Sequence, residues 1–347
     1  GVQTCALPIS ALVAPVSAVT LELFWAPSLV IGAYPWALHV IVLAALMAFL
    51  ATRFAAADGE DRRRAAYAAL ATLSLIALAL FLILTKGALT LALAALVLVA
   101  AALDRRFRLP EMTYFIQAAV VGLSWRLVVD PGLPWAIDEA ALWEVIASYG
   151  GAAAAMVGGL RILEGMDRRN ARVFLESAGA AYAALFANVL ITRWLTDGAS
   201  EPWVLSHWAL TLNAMPWLIL ALTQLYRLQL GGALRWLRWA IAAVAGLAAL
   251  AGIGSAATAA NPLFGLAFGG REGLVYGPPV LDTLLVAYAL PGVILVAALR
   301  WLGHLPPLLR HAMLGFGTAL LALYAGLEIR RFWQGDDLSG SYVSQGE

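Results

Sequence analysis

A chain of 347 residues that is 63% hydrophobic and 12% charged, with a mean hydropathy of +0.84, carries more apolar side chain than a soluble domain of its size can bury. Its 22 basic and 21 acidic residues leave a net charge of +1, with no basic run interleaved with stacking aromatics, which excludes a nucleic-acid partner. The single cysteine, Cys5, excludes an internal disulfide framework and any multi-cysteine metal site.

Residues 1–9 (GVQTCALPI) resemble the translation of a sequencing adapter and are set aside as an artefact; residues 10–347 are read as one transmembrane domain, expected to be truncated at both ends. A spanning helix needs about 20 largely apolar residues. Runs of that kind fall at residues 34–55, 65–85, 87–104, 112–130, 139–164, 171–195, 205–227, 235–255, 280–301 and 308–331, and residues 10–23 read as the end of a further one. The expectation is an all-α, polytopic transmembrane helical bundle with about ten spanning helices.

Charge tests that count independently, because Lys and Arg in short loops collect on the cytoplasmic side. Numbering the loops alternately places 16 of the 22 basic residues on one face. The other face holds Lys86, Arg126, Arg193, Arg271, Arg330 and Arg331. This puts the loops around residues 56–64, 105–111, 165–170, 228–234 and 302–307 in the cytoplasm and both visible ends outside, in a bacterial inner membrane. The outer face also collects Trp25, Trp36, Trp125, Trp135, Trp143, Trp194, Trp203, Trp208 and Trp333, as residues of the headgroup belt or as a rim for a sugar or lipid-linked ligand. The longest outer loop, residues 256–279, carries Arg271 and is either a surface loop or a re-entrant segment beside a cavity.

Ionisable groups at membrane depth need a partner or a purpose. Arg126 and Asp130 stand i,i+4 and can neutralise each other on one helix face. Asp138, Glu139 and Glu144 open the fifth segment, where the helix dipole favours carboxylates; Glu144 lies more than a turn inside the apolar run. Arg126, Asp130, Glu139, Glu144 and Arg271 are therefore the candidate lining of an outward-facing polar pocket. Ala147, Gly151, Ala155 and Gly159 form a small-residue packing stripe, and Gln117, Asn188, Asn213 and Gln224 are placed to bridge helices. Pro291 is expected to kink or break the ninth segment. His39, His207, His304 and His311 lack metal-ligand spacing, and no phosphate loop, dinucleotide fingerprint or nucleophile elbow is present, so no metal and no cofactor is expected.

The stretches RFAAADGEDRRRAAYAAL (53–70), LTKGALTLALAALVLVAAALDRRFRLPE (84–111), WRLVVDPGLPWA (125–136) and GLEIRRFWQGDDL (326–338) occur in the order found in the domain of unknown function 2339 family. The chain resembles that family of large bacterial membrane proteins over residues 35–347. The resemblance implies further helices on both sides of this stretch and carries no catalytic or binding residues. Three functional readings follow: a non-catalytic envelope or scaffold protein, a transporter or lipid-linked substrate handler using the outward pocket, and a membrane-embedded glycosyl- or lipid-group transferase with an outer carboxylate as base. The first expects Arg126 and Glu144 in closed contacts; the others require both to line one solvent-reachable cavity.

Overall fold

The computed structural model describes residues 3–59, 61–196, 205–232, 234–264 and 274–339, with side chains from residue 12 onward. Ala and Leu dominate the apolar runs, and these are the strongest helix formers. In lipid only a helix or a closed barrel satisfies every backbone N–H and C=O. The described residues accordingly form long helices: α1 (Gln3–Trp25), α2 (Ala33–Ala57), α3 (Arg63–Ile83), α4 (Lys86–Phe107), α5 (Met112–Val128), α6 (Leu142–Ile162), α7 (Arg169–Thr196), α8 (His207–Leu230), α9 (Arg235–Ala257), α10 (Leu285–Ala298) and α11 (Pro307–Gln334).

Eight of these are long and apolar enough to cross a membrane, or nine if α5 is joined with the short segment Gly132–Glu139 that follows it at a 60° bend. A polytopic helical bundle is therefore established. The difference from ten lies mainly at the ninth expected segment, residues 280–301, which is helical only as α10, Leu285–Ala298. Pro278 and Pro279 keep the preceding backbone out of the α region, and the Asp282 carboxylate accepts the Leu285 N–H at 3.1 Å, so the helix starts there. Pro291 does not break α10: a π-helical turn, Leu285–Ala289, runs directly into the α-helical segment that holds it, and the Ala287 carbonyl, which the proline leaves without its i+4 N–H, accepts the Thr211 hydroxyl of α8 at 3.1 Å.

The chain divides into two compact units, Gly1–Phe186 and Ala187–Glu347. In the first, Trp36, Ala37, Val40 and Ala44 of α2 pack on Leu75 and Ala79 of α3. The small-residue stripe of α6 receives leucines from its neighbours: a side chain at Gly151 would meet Leu91 at 2.8 Å, and one at Gly159 would meet Leu175 at 3.2 Å. In the second unit, α8 and α9 close at Gly252, whose Cβ would stand 2.7 Å from Ala214. There α10 and α11 meet at Gly292 and Gly317, each too near the other's carbonyl to carry a side chain without displacement. Where lipid supplies no hydrophobic drive between helices, such close backbone approach supplies the packing. Asn188 donates to the Asn213 carbonyl at 3.0 Å, and Thr192 to the Asn213 side chain at 3.0 Å, bridging α7 and α8.

At the arginine-rich end of each unit, guanidinium groups close helix C-termini. Arg62 donates to the last carbonyl of α4, Phe107 O, at 2.6 Å; Arg105 donates to the last carbonyl of α6, Ile162 O, at 2.6 Å; Arg238 donates to Arg227 O in the final turns of α8 at 2.5 Å. The final carbonyls of a helix have no partner within it and carry the negative end of its dipole, so a cation there is doubly favoured. In the first unit Arg168 also grips the fully buried Asp104 through two bonds of 2.7 and 3.0 Å, which raise the affinity of its guanidinium for its proton.

Candidate functional site

The polar groups of the first unit gather at its tryptophan-rich end, around the tight α3–α4 junction. Arg126, in the last turn of α5, is only 5% exposed. Its Nη1 donates to Asp130 Oδ2 at 2.9 Å and its Nη2 to the Lys86 carbonyl at 2.8 Å, while the guanidinium carbon lies 6.0 Å from the Phe81 ring centroid. The Lys86 ammonium turns outward and donates to Glu139 Oε2 at 3.0 Å, both side chains more than half exposed. Next to it, Gly87 admits the Trp135 ring: a Cβ there would stand 3.0 Å from that ring and 3.7 Å from the Glu144 carbonyl.

Arg126, Asp130 and Glu139 are thus brought together through Lys86. Glu144 reaches the same junction with its backbone, whereas its carboxylate accepts the Ala141 N–H at 3.0 Å, satisfying an orphan donor in the first turn of α6. Asp138 is exposed, and Arg271 lies outside the described residues. The buried Tyr149 hydroxyl donates to the carbonyls of Leu127 at 2.6 Å and Gly132 at 3.1 Å, which the bend after α5 would otherwise leave open.

The second unit holds a more deeply buried cluster. Arg331 of α11, 7% exposed, forms an ion pair with Asp282, whose side chain is fully buried, and donates to Asp336 Oδ1 at 2.7 Å and to the Gly277 carbonyl at 2.7 Å. Three segments are tied by one guanidinium: the loop before α10, α11, and the turn that follows α11. Gly277 has φ +111°, and a Cβ would fall 2.9 Å from the Asp282 backbone, so only glycine lets the loop close over the pair. Val275 N–H donates to Asp336 O at 2.9 Å, fastening the loop to the same turn. The buried His207 lies 3.2 Å from the Thr283 hydroxyl through Nε2 and stacks on Tyr288 at 6.2 Å, and Tyr288 donates to Ala256 O at 2.7 Å.

Of the tryptophans expected at headgroup depth, Trp25, Trp125, Trp143, Trp194 and Trp333 are exposed. Trp36 and Trp135 are instead buried in the first unit, and Trp194 packs edge-on against Trp208 at 6.1 Å. Trp203 lies outside the described residues.

The family model described as "Predicted membrane protein (DUF2339)" matches residues 8–346. The chain belongs to this family. Neither a curated protein nor a solved structure matches it. What this DUF2339 chain can do chemically must be read from its own groups. Among the described residues no three His, Cys, Asp or Glu side chains converge as a metal site would. Each carboxylate of the Arg126 group already holds a cation or a backbone donor.

The Asp282–Arg331–Asp336 cluster escapes sequence reasoning, although a faint signal exists. Asp282 precedes an apolar run, as helix-capping residues do, but residue 280 reads as the start of a span and hides it. Asp104 and Arg168 are 64 residues apart and carry no local mark of their pairing.

Proposed function

We propose that this DUF2339 chain is a structural, non-catalytic envelope protein of the bacterial cytoplasmic membrane, its arginine-rich loops inside and its tryptophan-rich end outside. The division of 16 basic residues against six supports that orientation through the positive-inside rule. The observation that carries the structural reading is that both terminal nitrogens of each of the two buried arginines at the tryptophan-rich ends are engaged within the chain. Arg126 and Arg331 each bind a carboxylate and a backbone carbonyl of another segment, which ties helix ends together. Groups already engaged in this way serve packing rather than turnover.

The test is a set of single substitutions, Arg126→Ala, Asp130→Ala, Glu139→Ala and Glu144→Ala, expressed in a strain lacking the locus, with membrane abundance and resistance to osmotic shock measured together. The structural reading expects resistance to follow abundance across the set, lowest for Arg126→Ala. A variant at Asp130, Glu139 or Glu144 with normal abundance and no rescue would overturn it.

That outcome would favour the second reading, a transporter, lipid-linked substrate handler or glycosyl- or lipid-group transferase acting at the tryptophan-rich face. Its specific support is that two deeply buried nitrogens, Arg126 Nε and His207 Nδ1, have no hydrogen-bond partner among the described residues. A buried polar atom normally finds a partner, and a polar ligand or water would supply one.

A further inference from the structure

Two apolar cavities lie in the second unit on either side of Leu222, a residue that lines both. One, of about 600 Å³, is bounded by side chains of α8, α9, α10 and α11 that include Leu218, Trp239, Gly246 and Phe316. The other, of about 540 Å³, lies between α8 and α10, with Tyr226 and Trp301 among its walls. Both have the size of ligand sites, which run from roughly 300 to 1,000 Å³.

The arginine-rich end of this unit gives the occupant its polarity. Tyr226 and Trp301 in one cavity adjoin Arg227 and Arg300 in sequence, and Leu309 and Met313 in the other flank Arg310. The loops meet there, since His304 Nε2 donates to the Leu225 carbonyl at 2.9 Å. No Asp or Glu occurs between Glu201 and Glu272 or between Asp282 and Glu328, so this end has no carboxylate of its own. Arg235, Arg300 and Arg310 are exposed. Paired apolar clefts whose lining residues neighbour the exposed Arg300 and Arg310 match a molecule with two hydrocarbon chains and a negative head, and basic pockets between membrane helices bind such lipids.

We propose that an anionic diacyl phospholipid of the arginine-side leaflet binds the second unit, one acyl chain in each cavity astride Leu222 and its phosphate against Arg300 and Arg310. A zwitterionic lipid of the same chain length would fill the cavities equally well and gain less at the head. The site is separate from the outer clusters and independent of whether the protein is structural or a carrier.

The test uses the full chain purified in detergent, titrated with phosphatidylglycerol or phosphatidylcholine of identical chains and read by native mass spectrometry. Phosphatidylglycerol is expected to be retained preferentially. Arg300→Gln with Arg310→Gln, both exposed, should lower that preference roughly tenfold or more while the thermal midpoint without lipid stays unchanged. Ala312→Trp, which fills the larger cavity from its exposed rim, should weaken retention of both lipids. Equal retention of the two lipids by the unaltered chain, or an undiminished preference in the double variant, would overturn the proposal. So would a dimer that Ala312→Trp dissociates, which would assign the cavities to a second copy of the chain.

Discussion

The two units treat the same problem, charge at the ends of membrane helices, in opposite ways. At its arginine-rich end the first unit pairs cations with its own acids: Arg64 with Asp58, Arg161 with Glu164, and Arg168 with the buried Asp104. The second unit has no acid at that end and keeps Arg235, Arg300 and Arg310 exposed. At the tryptophan-rich end the order reverses in depth. The first unit spreads its charges into exposed pairs around one buried arginine, whereas the second buries Arg331 and Asp282 together and folds a loop over them. The second unit thus concentrates its buried ion pairing at one end and leaves exposed arginines without an acid of their own stretch at the other.

The comparison breaks most sharply at the buried arginines. Arg331→Met leaves the Asp282 carboxylate buried without its counter-ion and is expected to cost about 3–5 kcal/mol. Arg126→Met leaves Asp130, whose side chain is 64% exposed, free to hydrate, and should cost about 1–2 kcal/mol. Thermal melts of the two purified variants in one detergent check the ranking; an Arg126 variant as damaged as the Arg331 variant would remove the difference in depth. Asp104→Ala sharpens the other end by turning the first unit into an imitation of the second. Arg168, whose side chain is 18% exposed, can then swing partly to water, so a loss of about 1–2 kcal/mol is expected in the same assay. The smallest effect belongs to Lys86→Ala, because its pair with Glu139 is solvent-exposed: no more than about 1 kcal/mol, and less at high salt.

Local pattern accounts for the parts of the clusters at the tryptophan-rich ends that are local. Arg126, in the last turn of α5, and Asp130, in the turn just beyond it, are four residues apart, so their pairing is written in their spacing. Glu139 was visible as an acid at a helix start, but its partner, Lys86, lies 53 residues away across a junction that reads only as a tight turn. Glu144 reads as a carboxylate inside an apolar run, yet the helix begins at Leu142, so its side chain sits in the first turn and binds the Ala141 amide. A shift of three residues in the start of a helix changes a candidate base into a cap.

By itself the sequence determined that the chain is a helical membrane protein, roughly where each helix runs, and which loops carry the arginines. Those properties follow from apolar run length and loop charge, which lipid and the insertion process read along the chain. Only the tertiary structure decided which charges far apart in the sequence meet. Arg331 with Asp282, Arg168 with Asp104, Lys86 with Glu139 and the two cavities astride Leu222 are all brought together by helices distant in sequence. Close approach at glycines helps to set these meetings: Gly87 admits the Trp135 ring, Gly277 the Asp282 backbone and Gly292 the Gly317 carbonyl, and composition records such glycines without saying what will lie against them.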